Sequence, residues 1–123
     1  MFENDYIIKQ INIMVKFLAG VLFNKDTTEC SNIKDENGNI TGKGKTCIIL
    51  RKLVDEGKIN EAENLLFSEI EKNKDIELLE VALDFYGYLN EKEDNFLEEN
   101  GFSHQEILEG LQDIQKMYNI EEI

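Results

Sequence analysis

The sequence predicts an all-α fold of about five to six helices, built from antiparallel helical hairpins around a hydrophobic N-terminal helix. Three observations carry this. The 123 residues include no proline, so no pyrrolidine ring interrupts a helix. Apolar residues recur at spacings of three and four along most of the chain, the period of a helix with one buried face. Gly57, Gly101 and the Ser103–Glu106 pair fall between these periodic runs, where helices should stop and start.

The first helix should run from about Asn4 to Asn24. Ile7, Ile8, Ile11, Met14, Val15, Leu18, Val21 and Leu22 form one broad stripe. Phe2, Tyr6, Ile13 and Phe17 form an adjacent second face, and only a wedge around Asp5, Lys9, Asn12 and Lys16 is polar. A helix buried on one side does not need so much apolar surface. Either it sits centrally among the other helices, or its second face meets another chain. Residues 25–45 are rich in Asn, Asp, Gly, Ser, Thr and Lys. They read as a polar loop, or as a short hairpin in which Asn37-Gly38 closes a type I′ turn between Ile33 and Ile40.

Residues 46–119 hold the helical hairpins. The second helix is expected over Thr46–Glu56, with Ile49, Leu50, Leu53 and Val54 inward and Gly57 as its stop. The third spans about Asn60–Asn73, with Asn60 and Glu63 in a capping-box pattern and Ala62, Leu65, Leu66 and Ile70 inward. The fourth, Asp75–Asn90, presents Leu79, Ala82, Leu83 and Tyr86. A short fifth, Lys92–Glu99, offers Phe96 and Leu97. The sixth opens on the capping box Ser103-His104-Gln105-Glu106 and packs Ile107, Leu108, Leu111, Ile114 and Met117. The tail from Asn119 should fray.

Two resemblances add to this reading. Gly57, Ile59 and Ala62, with Ile49, Leu53 and Leu66, stand where a tetratricopeptide-type hairpin places its turn glycine, small residue and packing positions. Thr46, Leu50, Glu69 and Lys74 depart from that pattern, and 34 residues on Glu91 and Phe96 replace the glycine and alanine, so this resembles one partial repeat. It implies a protein-binding helical scaffold. The runs Asn4–Ile8, Leu22–Asp26, Gly57–Phe67 and Leu79–Tyr86, with Asn95–Glu99 and Phe102-Ser103, resemble a small family of unknown function from Gram-positive bacteria. That resemblance implies an all-helical fold and a bacterial cytoplasmic setting, and it supplies no catalytic residue.

Charge narrows the function classes. The chain has 13 basic and 26 acidic residues, a net charge of −13. Residues 1–54 carry eight basic and six acidic groups, whereas residues 55–123 carry five and twenty. The acidic half would repel nucleic acid and anionic lipid. It reads as a solvated face or as an attraction for a basic partner. The longest unbroken apolar run, Phe17–Phe23, is far short of the roughly 20 residues of a membrane span. The acidic opening Met1–Asp5 is unlike a secretory leader. The expectation is a cytoplasmic protein with no nucleic-acid or membrane partner, whose Cys30 and Cys47 are reduced thiols.

No catalytic set can be assembled, and no cofactor or metal is expected. His104 is the one histidine, which excludes a multi-histidine metal site within one chain. It reads as exposed. Gly44-Lys45-Thr46 resembles the end of a phosphate-binding loop but lacks the glycine five residues earlier, where Asn39 stands. What remains is a weak anion-site candidate, Lys43, Lys45 and Arg51. Cys47 reads either as a reactive thiol at a helix start or as a small core residue. Tyr88 belongs to an aromatic cluster with Phe85 and Tyr86 and, if it projects outward, can anchor a peptide.

The expected function is a non-enzymatic helical interaction module for an unknown protein partner, with the acidic face suited to a basic one. The interaction surface is expected at Phe2, Tyr6, Ile13, Phe17 and Tyr88. The alternatives are a small-anion or nucleotide-binding regulator using residues 42–46, and a structural homodimer through helix one.

Overall fold

The computed structural model describes residues 2–23 and 36–120, with the side chains of Asp5–Leu22 in the first of these segments. Among them are six helices: α1 (Phe2–Phe23), α2 (Gly42–Asp55), α3 (Ile59–Lys72), α4 (Ile76–Asn90), α5 (Asp94–Glu99) and α6 (His104–Met117). All-α architecture is therefore established for the described residues.

The central helix is α4 and not α1. Leu79 through Tyr86 are buried without a break, and α4 packs on α1, α2, α6 and, more lightly, α3. Its sequence explains the position. Across that run only Glu80 and Asp84 are charged, and each is paired with a base on α2. The N-terminal helix is one-sided instead: Ile11, Val15, Leu18 and Ala19 enter the core while Tyr6, Ile13, Phe17 and Val21 remain exposed. One contiguous core joins Ile11 and Leu18 to Leu50, Leu66, Leu83, Leu97 and Leu111.

Reversals between helices follow from their end chemistry. Gly57 has φ 82°. Its N–H donates to Val54 O at 2.9 Å, and Lys58 N–H donates to Leu53 O at 2.8 Å. This pair of bonds is a Schellman closure, and glycine adopts the left-handed conformation it needs without a Cβ penalty. The same closure recurs at Gly101, where Phe102 N–H reaches Leu97 O at 2.9 Å, and at Asn119, where Ile120 N–H reaches Gln115 O at 2.9 Å. Asn119 and Ile120 thus close α6, and the rest of the tail expected to fray lies outside the described residues.

Helix starts differ in part from those expected from the sequence. The second helix begins four residues earlier than expected, because Thr41 caps it: its Oγ1 accepts from Gly44 N–H at 2.9 Å. The two glycines of Gly42-Lys43-Gly44 suggest loop by propensity, but a capped first turn tolerates them. Helix α3 starts at Ile59, with no side-chain cap. Asn60 turns instead toward Gly101 O, and Glu63 accepts from Tyr86, so that capping box does not form. The Ser103 cap does form, accepting from Glu106 N–H at 3.2 Å. Asn37 and Gly38 lie in a turn, with Gly38 at φ 83° and a β-bridge residue at Ile40. Ile33, the expected other flank, lies outside the described residues.

Candidate interaction surface

The outer face of α1 is the largest departure from ordinary burial. Tyr6 is 68% exposed, Ile13 66%, Phe17 42% and Val21 65%. At 100° per residue these four lie on one stripe, about 22 Å long at 1.5 Å per residue. Phe2, expected with them, has its side chain outside the described residues. Polar contacts fix which way the stripe points. Asn90 Nδ2 donates to Ile8 O and to Asn12 Oδ1, both at 3.0 Å. With Ile11, Val15 and Leu18 in the core, this clamp holds the rotation of α1 and leaves Tyr6, Ile13, Phe17 and Val21 outward.

The basic candidates are not brought together. Lys43 Nζ lies 2.7 Å from Glu80 Oε1. Arg51 grips Asp84 with two bonds, Nη2 to Oδ1 at 2.7 Å and Nε to Oδ2 at 3.2 Å. Both bases thus face the buried carboxylates of α4. Lys45 is exposed, about 200° round the helix from Lys43. Two of the three cations are neutralised by carboxylates and the third points elsewhere, so they do not form an anion cradle.

Tyr88 continues this polar seam rather than projecting as a peptide anchor. Its hydroxyl donates to Asp55 Oδ1 at 2.5 Å. Arg51 and Lys92 each stand 4.5 Å from its ring centroid, a cation–π arrangement. Bonding to Asp55 and burial both raise the Tyr88 phenol. Bonding from Tyr88, then Lys92, holds the Asp55 carboxyl below its ordinary range, although burial opposes this. The Arg51 guanidinium is pushed up by its bond to Asp84. Glu80, Asp84 and Tyr88 are spaced by four on α4, as are Lys43, Cys47, Arg51 and Asp55 on α2, so the two rows face each other.

Cys47 corrects the sequence reading most sharply. It is buried and disulfide-bonded, not a reduced thiol. Cys30, the other cysteine of the sequence, lies outside the described residues. His104 is also corrected. It is buried, with Nδ1 2.6 Å from Asp94 Oδ1. The Gly101 reversal folds the start of α6 back onto α5 and creates that pair, which no short-range pattern announces.

A second buried polar contact links α3 to α4. Tyr86 donates to Glu63 Oε2 at 2.6 Å. Burial raises the Glu63 carboxyl, and the nearby Glu106 and Asp113 add to the rise while the Tyr86 bond opposes it. Burial and the Glu63 charge push the Tyr86 phenol far up. Among the described residues no group of His, Cys, Asp and Glu can hold a metal ion, and no helix is long and apolar enough to cross a membrane.

A family model described as a family of unknown function, DUF6483, matches residues 1–119. The chain belongs to that family. No curated protein and no solved structure shows significant similarity to it. The outer face of α1 and the α2–α4 seam are therefore properties read from this DUF6483 chain itself.

Proposed function

We propose that this DUF6483 protein is a non-enzymatic helical interaction module that engages a protein partner through the outer face of α1. The observation that carries the reading is the exposure of Tyr6, Ile13, Phe17 and Val21 on one stripe of a helix whose opposite face is core. Water is a poor solvent for such a stripe, at about 25 cal/mol per Å² of apolar surface. Contiguous exposed apolar surface of this kind marks interaction sites. The α2–α3 pair, with its likeness to a tetratricopeptide hairpin, serves in this reading as rigid scaffold. A bacterial cytoplasmic setting goes with the family resemblance, and a reducing compartment there would open the Cys47 disulfide.

A basic partner on the acidic half is the second reading. It is favoured by the Glu106 and Asp113 charges of α6, which act on the Glu63 carboxyl of α3. A photo-crosslinking residue separates the two. Placed at Ile13 in expressing cells, it should trap a discrete adduct, while the same residue at exposed Glu61 on α3 should not. Absence of any adduct at Ile13 would rule out the α1 reading, and an adduct at Glu61 alone would favour the acidic face.

A further inference from the structure

We infer that the occupant of the α1 face is a second copy of this chain, paired helix to helix in the antiparallel sense. The inference rests on the reading of α1 as an interaction surface and names its partner.

Shape excludes several occupants. The stripe is a convex helix face about 22 Å long, not a concave pocket, so it does not suit a small molecule. A helix surface of ridges is matched best by another helix laid along it. Area is adequate for a pair. With about 150–250 Å² per aromatic side chain and somewhat less per aliphatic one, the exposures of 68%, 66%, 42% and 65% leave roughly 400 Å² of stripe on each copy. The half-buried Gln10 and Met14 at its edge bring the pair to the roughly 1,000 Å² of a specific interface.

Charge then selects the partner. Between residues 5 and 22 the helix carries one acid, Asp5, and two bases, Lys9 and Lys16, whereas residues 55–123 hold twenty of the 26 acidic groups. A basic partner is drawn to those later elements and not to α1. A second copy also carries −13, but the surface it offers to α1 is this same stretch of one acid and two bases, not its acidic elements. Two copies joined through α1 meet at their least acidic surfaces and keep their acidic elements apart, where salt screens them beyond about 8–10 Å.

The antiparallel sense opposes the two helix macrodipoles, each N-terminus lying beside the other copy's C-terminus. With the two-fold axis between residues 13 and 14, Tyr6 of one copy lies over Val21 of the other. Gln10 lies over Phe17 and Ile13 over Met14, so the whole stripe is covered once. Such a self-complementary patch is what a two-fold dimer requires.

The test is light scattering after size exclusion on the purified full chain, from micromolar to hundreds of micromolar. The expected mass is twice the 14.3 kDa of one chain, and it should hold at 1 M NaCl, where charge repulsion is screened. Phe17→Asp and, separately, Ile13→Asp should each weaken the pair by roughly a hundredfold, since each buries an unpaired charge. Ile13, 66% exposed, is the cleaner control, and Ile13→Asp should leave the Tm of the monomer essentially unchanged, whereas Phe17, 42% exposed, also loses contacts inside its own chain. A monomeric mass at every concentration, or a dimer indifferent to both substitutions, would overturn the pairing. A monomer that still crosslinks from Ile13 to a different protein overturns the pairing alone. A monomer with no crosslink overturns the interaction reading as well.

Discussion

Replacing Gly110 with alanine poses a question of sign. Gly110 is buried on α6, and a Cβ built there would overlap the hydroxyl and ring of Tyr86. In a helix interior Gly→Ala alone should stabilise by about 0.8–1 kcal/mol. Against this, forcing an extra carbon into a packed core costs about 1–3 kcal/mol. Tyr86 cannot yield freely, because it is fully buried and its hydroxyl is tied to Glu63 at 2.6 Å. Displacing it leaves that buried hydroxyl unpaired, a further ~1–3 kcal/mol. The net expectation is a loss of about 2–4 kcal/mol, or roughly 8–15 °C in Tm for a chain of this size. Thermal and urea unfolding followed by circular dichroism would measure it. In a Tyr86→Leu background the clash is gone, and Gly110→Ala should become neutral or stabilising. A single Gly110→Ala protein as stable as the parent would refute the packing argument.

Other expectations follow from the polar contacts. Burial raises the Glu63 carboxyl, so its protonated form favours the fold: that stabilisation is complete below the ordinary glutamate pKa and is lost as pH rises through the folded value. Glu63→Gln should therefore raise Tm at pH 7 and leave it unchanged near pH 4, in parallel melts. Asp84→Ala removes the partner of Arg51 from a seam where Asp84 is buried. It should cost about 1–3 kcal/mol in urea unfolding, and Asp84→Asn less. In the oxidised protein a thiol-reactive probe should label nothing until reductant is added. Reduction should then lower stability by about 2–4 kcal/mol.

Local chemistry was legible in the sequence and long-range chemistry was not. The separate stripe of Tyr6, Ile13 and Phe17 followed from helical period, although period placed Val21, 65% exposed, with the core face. The Gly57 and Gly101 stops and the Ser103 cap followed from residue type. Period alone could not tell whether that stripe is covered, because the answer depends on which helix takes the centre. The near-continuous apolar run of α4 decides it, and α4 displaces α1 from that place. The start of α2 was hidden by two glycines whose poor propensity a threonine cap outweighs. The Lys43–Glu80 and Arg51–Asp84 pairs join residues 37 and 33 positions apart. Burial of His104 depends on Asp94 across a chain reversal. With two cysteines in the chain, the bonded state of Cys47 depends on whether the fold brings the pair together, which cysteine count does not specify.

The most direct test of the account is hydroxyl-radical footprinting of Tyr6, Ile13, Phe17 and Val21 across a concentration series of the native protein. The account predicts strong labelling of all four at high dilution, as their exposure requires, and joint protection at higher concentration, with exposed Ile76 on α4 unchanged as the control. Labelling of the four that stays constant over the whole series would contradict it.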